Sequence, residues 1–364
     1  MEHYYVNENP TTKNGEYIAA HKAREDVYKV FQARDYIPIN VSGKSNQERI
    51  ELGAMDRIRE HFRIAKSWDL SISGTISNAN NSIVWIQFPP KNHSLRLGEI
   101  IKKHHKQGVK IGLIIHDINI FRLSLSEKGG IKKSLKIKVE ESPFLSIADF
   151  IIAHNPAMID SLASMGISRN KLFNLQIFDY LMDTSIKAKV NFESPIIVAG
   201  NLHSEKAGFV YNLPDNVNFN LYGVNYKEQD KKHVMYKGFF PSNELPERLE
   251  GSFGLIWDGD SSETCSGAYG SYLRINNPHK TSLYLASGLP VIIWKHAALA
   301  PFIEENHCGI LVESLKDISS ELKNINQSEY DNMVTNVQKI RELLINGYFT
   351  NKVLSEIEDV AGNL

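Results

Sequence analysis

The sequence predicts an α/β protein built on two parallel sheets, and three observations carry that expectation. Its 364 residues are 42% hydrophobic and 23% charged, ordinary globular usage that excludes disordered, fibrous and collagen-like chains and suffices for two domains, each with its own core. Short apolar runs recur along the chain, rich in β-branched and aromatic residues and ending in Gly, Pro, Asp, Asn or His, as strands buried on both faces do. Helical patterns separate these runs, and that alternation implies parallel sheets covered by helices on both faces.

Taken in order, the polar N-terminus leads through a loop at 7–15 to a helix at 19–34. A helix at 56–68 reads as part of a long insertion before the first apolar run, IVWIQF at 83–88. A helix at 94–107 then leads to VKIGLII (109–115), and further strands are expected at 150–153 and 172–177 around a helix at 155–165. The polar stretch 182–194 is the domain boundary. Beyond it come strands at 195–199 (PIIVA), 219–222, 253–257 (FGLIW), 290–294 and 309–312, with helices at 282–286 and 299–306. Apolar residues at helical spacing from 330 to 360 predict a terminal helical segment that returns to the first domain. The resulting division is 1–185, 186–340 and 341–364.

Charge and cysteine content narrow the function. Forty-one Lys and Arg balance 42 Asp and Glu, a net charge of -1, so the cationic excess of a nucleic-acid binder is missing. Two cysteines, Cys265 and Cys308, are too few for a disulfide framework and suit a reducing cytosol. No signal-peptide pattern and no run of 18 apolar residues is present, so a cytoplasmic protein is expected. One segment is locally basic: between Lys91 and Lys138 twelve Lys or Arg face three acids. It reads either as a solvated surface or as a patch that rests peripherally on an anionic membrane.

Ligands of open parallel sheets bind at the carboxyl ends of strands, so the polar residues that follow the apolar runs are candidates. There is no P-loop, no dinucleotide-binding glycine motif and no nucleophile elbow. His116–Asp117 is either a general base beside a histidine or a turn cap. His154–Asn155–Pro156 reads as a turn histidine, an N-cap and a first-turn proline. Gly200–Asn201 with Lys206 allows close backbone approach to a phosphate beside a cation. In the 276–282 segment, Lys280 and Thr281 sit in a helix's first turn. A lysine there opposes the helix dipole, which suggests that it neutralises an anion. The 258–273 loop, with Asp258, Asp260 and Glu263, lacks the spacing of a calcium loop and suits sugar hydroxyls better than a metal.

FGLIWDGDSSETCSGAYGSYL (253–273) and NNPHKTSLYLASGLPVIIW (276–294) resemble bacterial β-1,6-galactofuranosyltransferases that build surface polysaccharide. IIHDIN (114–119), AHNPAMIDSLASMGI (153–167), QIFDYL (176–181), AGNLHSEK (199–206) and LYGVNY (221–226) follow in the same order. A more distant likeness is to the glucosyltransferases of streptococcal adhesin glycosylation. The resemblance implies a GT-B architecture, two Rossmann-like domains facing a cleft, and a UDP-sugar as donor substrate with no cofactor or metal. It implies that Lys206, Lys280 and Thr281 stabilise the UDP diphosphate, that Gly200 and Asn201 line the nucleotide pocket and that Tyr236 stacks on the nucleotide. Asp117 would be the base, with His116 tuning it or binding the acceptor, a glycan or lipid-linked oligosaccharide. A homo-oligomer fits this reading. The rivals are glucosyl transfer from UDP-glucose, a nucleotide-sugar 2-epimerase and a non-catalytic transferase subunit.

Overall fold

A computed structural model describes residues 1–10, 19–43, 52–92, 94–124 and 140–362. Six parallel strands form the first sheet: β1 (Glu2–Pro10), β2 (Ile37–Gly43), β3 (Ser82–Phe88), β4 (Lys110–Ile115), β5 (Phe150–Ala153) and β6 (Leu172–Asn174), in the order β2-β1-β3-β4-β5-β6. A short strand, β7 (Lys189–Val190), pairs with β11 (Glu250–Gly251). The second sheet holds β8 (Ile196–Asn201), β9 (Phe219–Val224), β10 (Val234–Gly238), β12 (Gly254–Ile256), β13 (Val291–Trp294) and β14 (Gly309–Val312). Its order is β10-β9-β8-β12-β13-β14, again parallel. Each order reverses once, and the gap at that reversal is where doubly wound sheets take ligands.

All nine runs expected to be strands are strands, but the N-terminal reading needs correction. Residues 7–10 belong to β1, an interior strand of the first sheet, and Tyr4, Tyr5 and Val6 are buried in it. The helix expected in an insertion is α2 (Ala54–Thr75), which follows α1 (Ala19–Ala33) and connects β2 to β3 as an ordinary crossover. The interior strands are deeply buried: every residue of SIVWIQF in β3 is buried. On one face of the first sheet, α2 contributes Ile64, Trp68 and Ile72, and α3 (Leu97–Lys106) contributes Leu97 and Ile101. The other face, with α1, continues into one core with the second sheet.

Shorter helices follow: α4 (Asn119–Ser124), α5 (Pro156–Ser164), α6 (Ser204–Ala207), α7 (Gly267–Tyr272), α8 (His279–Ala286) and α9 (Ala300–Glu305). Two long ones, α10 (Gln327–Ile345) and α11 (Tyr348–Gly362), close the chain. The expected return to the first domain is made by α11. Its first turn is held by Asp179, whose carboxylate accepts from Phe349 N at 3.1 Å and Thr350 N at 2.7 Å. Farther along, Arg34 of the first domain donates to Asn351 Oδ1 at 3.1 Å and pairs with Glu358.

The carboxyl edges of the two sheets face each other, and hydrogen bonds after β4 and β5 link the two. After β4, Ile118 N donates to the Tyr272 hydroxyl at 3.0 Å. After β5, Asn277 N donates to His154 Nδ1 at 3.0 Å, and the Asn277 amide donates to His154 O at 2.7 Å and Gln176 O at 2.9 Å. Asn155 is the expected N-cap of α5, accepting from Met158 N, and it also donates to Asn277 Oδ1 at 2.7 Å. His154 stands in the bend between β5 and α5, as expected, and its side chain also takes part in the junction. It is buried, and its Nε2 lies 3.0 Å from Ile115 O. With Nδ1 accepting, Nε2 must carry the proton that Ile115 O receives.

Candidate active site

On the second sheet the order reverses between β8 and β12, and Gly200, Asn201, Lys206 and Lys280 lie at the ends of those strands. β8 ends at Gly200 (φ +135°) and Asn201. The neighbouring strand needs glycine too: a Cβ on Gly223 would lie 1.7 Å from Gly200 O. The Asn201 side chain accepts from His203 N at 3.0 Å and Asn225 Nδ2 at 2.9 Å, turning the chain into α6. Lys206 lies in α6, half-buried, with no side-chain partner among the described residues. Its carbonyl accepts from Gly259 N at 2.7 Å, and Ala207 bridges to Gly259, so α6 is laced to the loop that follows β12.

Lys280 approaches the same loop from α8. Its ammonium donates to Trp257 O at 2.7 Å and to Asp258 Oδ1 at 2.8 Å. The anion that the sequence places beside Lys280 is thus met by a buried carboxylate. An ammonium has three donors, so one remains for a phosphate oxygen. Thr281, in the same turn, is fully buried, and its hydroxyl has no partner among the described residues. The three acids read as a sugar-binding set each hold a different partner. Asp258 is committed to Lys280, Asp260 accepts from the Ser266 hydroxyl, and Glu263 pairs with Lys316.

Tyr236 lies on β10 with its hydroxyl donating to Gly223 O at 2.7 Å. Its ring is 5.3 Å from Tyr226, which stacks on Tyr211 at 5.7 Å. Sequence reasoning singled out neither Tyr211 nor Tyr226 as a site residue. Together the three rings form an aromatic row beside Asn201 and Asn225, and Tyr226 stands two residues beyond the end of β9, where such a residue could have been sought.

Across the junction, β4 ends in His116–Asp117. Asp117 is engaged on both oxygens: Oδ1 accepts from Ile118 N at 2.9 Å and Oδ2 pairs with Arg122 at 3.0 Å. His116 is held differently. Its Nε2 lies 2.6 Å from Gln87 Oε1, while the Gln87 amide nitrogen donates to Arg24 O at 3.1 Å. Gln87 therefore offers His116 an acceptor, His116 carries its proton on Nε2, and Nδ1 keeps a lone pair with no partner among the described residues. Burial, with the Arg24 guanidinium as the next cause, pushes this imidazole well below its ordinary range, so it is neutral near pH 7. Arg24 also donates to Pro89 O at 2.6 Å and faces Glu8, which accepts from Lys91 N and Asn92 N at 2.9 Å each. None of Glu8, Arg24 and Gln87 carries a spacing signal, and the sequence reading missed all three.

His154 is pushed down to about 4 by burial, whereas an unfolded histidine titrates near 6.5. The unfolded chain thus binds the proton first, and the stability that this neutral histidine contributes is lost as the pH falls from about 6.5 to about 4. That gap is worth about 3 kcal/mol. The stability difference between the native protein and a His154→Gln variant should therefore shrink from pH 7 to pH 4 in chemical denaturation. A difference independent of pH would contradict this.

Two Rossmann-like domains with facing carboxyl edges have the GT-B architecture, and the relatives that this chain matches make it a glycosyltransferase. The chain belongs to the Glucosyltransferase 3-like family, matching its N-terminal domain over residues 3–177 and its C-terminal domain over 196–357. It is 37% identical over 261 residues to the β-1,6-galactofuranosyltransferase WbbI of Escherichia coli strain K12, covering 70% of this chain and 73% of the relative. Glucosyltransferase 3 of Streptococcus parasanguinis is 26% identical, with 76% and 78% covered. Among solved structures, a sucrose-phosphate synthase from Thermosynechococcus elongatus matches with TM-score 0.66 at 8% identity over the whole of both chains. Anabaena HepE, solved with UDP and glucose, matches with TM-score 0.56 at 11% identity, also over the whole of both chains. These structures share the fold.

Proposed function

We propose that the protein transfers a galactofuranosyl group from UDP-galactofuranose to a sugar hydroxyl of a growing surface polysaccharide, presented on a glycan or a lipid-linked oligosaccharide. The observation that carries this reading is the pair of cations, Lys206 and Lys280, brought to one loop at the ligand-binding reversal of the second sheet. The choice of sugar rests on the 37% identity to the Escherichia coli galactofuranosyltransferase.

In this mechanism His116 Nδ1 accepts the proton of the acceptor hydroxyl as its oxygen attacks the anomeric carbon. The bond from that carbon to the diphosphate oxygen breaks, and UDP departs with the electron pair. Lys206, the free donor of Lys280 and the first-turn N–H groups of α8 stabilise the charge that develops on the diphosphate. Tyr236, with Tyr226 and Tyr211, offers the uracil a stacking surface. Gly200 and Asn201 form the floor between base and phosphates. Asp117 holds Arg122 and the α4 turn beside the base.

A donor panel tests the reading. With a suitable acceptor, UDP release should be fastest with UDP-galactofuranose. Preference for UDP-glucose would favour the second reading, which the family's glucosyltransferase description supports. Acceptor-independent turnover of UDP-N-acetylglucosamine would point to epimerisation and overturn the proposal. Because Asp258, Asp260 and Glu263 each hold a different partner, EDTA is expected to leave transfer within about twofold of the untreated rate. Abolition by EDTA with recovery on adding manganese would make Asp258 and Asp260 ligands and overturn this diphosphate account.

A further inference from the structure

Part of α2 overhangs the first domain. The helix runs antiparallel to β2, with Ser67 Oγ accepting from Ser42 N at 3.0 Å and Ser71 Oγ donating to Asn40 O at 2.8 Å. The strand ends level with Ile64, since a Cβ on Gly43 would meet that side chain at 3.0 Å. The ten residues of α2 before Ile64 continue past the carboxyl edge of the sheet for about 15 Å. Along this overhang Met55, Ile58 and Phe62 are 66%, 53% and 53% exposed, spaced as one stripe of a helix. Leu95, 45% exposed, joins them. Its segment is bound to the overhang by Ser94 Oγ donating to His61 O at 2.9 Å and by the Arg96 guanidinium over the Phe62 ring at 4.8 Å.

This apolar stripe stands in a basic field. Beside it, over residues 54–66 and 95–99, the sequence has five Lys or Arg against three acids. Those acids are paired, Asp56 with Arg59, Glu60 with Arg63 and Glu99 with Arg96. Lys66 has no ion partner among the described residues, whereas Lys102 and Lys106 lie toward the far end of α3, where Lys103 pairs with Asp69. Much of the basic segment noted in the sequence, including Lys132, Lys133 and Lys136, lies outside the described residues.

We propose that the overhang of α2 and the segment before α3 seat the first domain on an anionic lipid bilayer. Exposed Ile and Phe on a helix flanked by cations is the pattern of an interfacial helix, the apolar side chains entering the acyl boundary and the cations meeting headgroups. A second copy of the chain is disfavoured, because a two-fold contact through this face would set its cations against themselves. All strands of the sheet are parallel, so the overhang lies at the same edge as His116. A bilayer there would hold a lipid-linked acceptor at the mouth of the site. The inference rests on the transferase reading only for that purpose, and the binding itself is measured without turnover.

The experiment is flotation of the full chain with vesicles of phosphatidylcholine alone or with phosphatidylglycerol added. The protein should float only with the anionic vesicles. Each cation removed should weaken partitioning roughly fivefold, so Arg59→Glu/Lys66→Glu should abolish flotation, and Ile58→Asn/Phe62→Asn should weaken it at least as much as one lost cation. Met165→Asn, an exposed apolar position outside this face, should float like the native protein. All variants should keep UDP affinity and turnover with a water-soluble acceptor, which separates failure here from failure of the transferase reading. Equal flotation with neutral vesicles, none with anionic ones, or no effect of the overhang variants would overturn the proposal. So would a concentration-dependent dimer that the overhang variants dissolve in the absence of lipid.

Discussion

Replacing His116 by asparagine is expected to lower hexosyl transfer by roughly 10²–10⁴-fold, the usual worth of a positioned general base, while UDP affinity stays within about twofold. The expectation follows from how the two candidates at the end of β4 are held. Asp117 has one oxygen on Ile118 N and the other on Arg122, so taking a proton would weaken an ion pair. His116 donates through Nε2 to Gln87 and keeps Nδ1 open. Gln87→Leu should leave the imidazole in place but release its tautomer. It should lower the rate less than loss of His116 and shift the acidic limb of the kcat/KM profile, which a purely structural role would not move. Asp117→Asn should cost less than His116→Asn. The reverse ranking, measured with saturating donor, would return the base to Asp117.

Lys280→Ala should produce two separable losses. UDP should bind at least about tenfold more weakly, because a charge-assisted hydrogen bond to phosphate contributes about 1.5–3 kcal/mol. The fold should also weaken by about 3–5 kcal/mol, since Asp258, only 8% exposed at its side chain, would be left as an uncompensated buried charge. Adding Asp258→Asn should recover most of the stability and none of the UDP affinity. Calorimetry and denaturant unfolding on the single and double variants distinguish the two roles. Unchanged UDP affinity in Lys280→Ala would remove this lysine from the donor site.

Strands buried on both faces were readable because mostly apolar sequence occupies them, as β3 illustrates: all seven of its residues are buried and five are apolar. β1 was not, because Asn7 and Glu8 look like loop residues. The burial of Glu8 is compensated by N–H groups from Lys91 and Asn92, over eighty residues away, and no local pattern announces such a partner. Missing β1 and β2, an edge strand containing Pro38, also turned α2 into an apparent insertion. In the site, Lys280 was readable because a cation in a helix's first turn calls for an anion. That the first anion is Asp258 depends on how β12 packs beside α8. Gln87 faces His116 only because β3 and β4 pair in register, Gln87 opposite Ile114. Position at a strand end thus revealed the reacting groups, while the residues that orient them came from neighbouring strands.

The configuration of the product tests the central claim most directly. A base that deprotonates the acceptor while UDP leaves from the opposite face gives a single displacement, and a single displacement inverts the anomeric carbon. With α-configured UDP-galactofuranose and a soluble acceptor, the anomeric proton and carbon signals of the newly formed glycoside should report a β-galactofuranosyl linkage. A product that retains the α configuration would contradict the account, because it would require either a covalent sugar–enzyme intermediate or front-face departure, and neither is the single displacement assigned to this site.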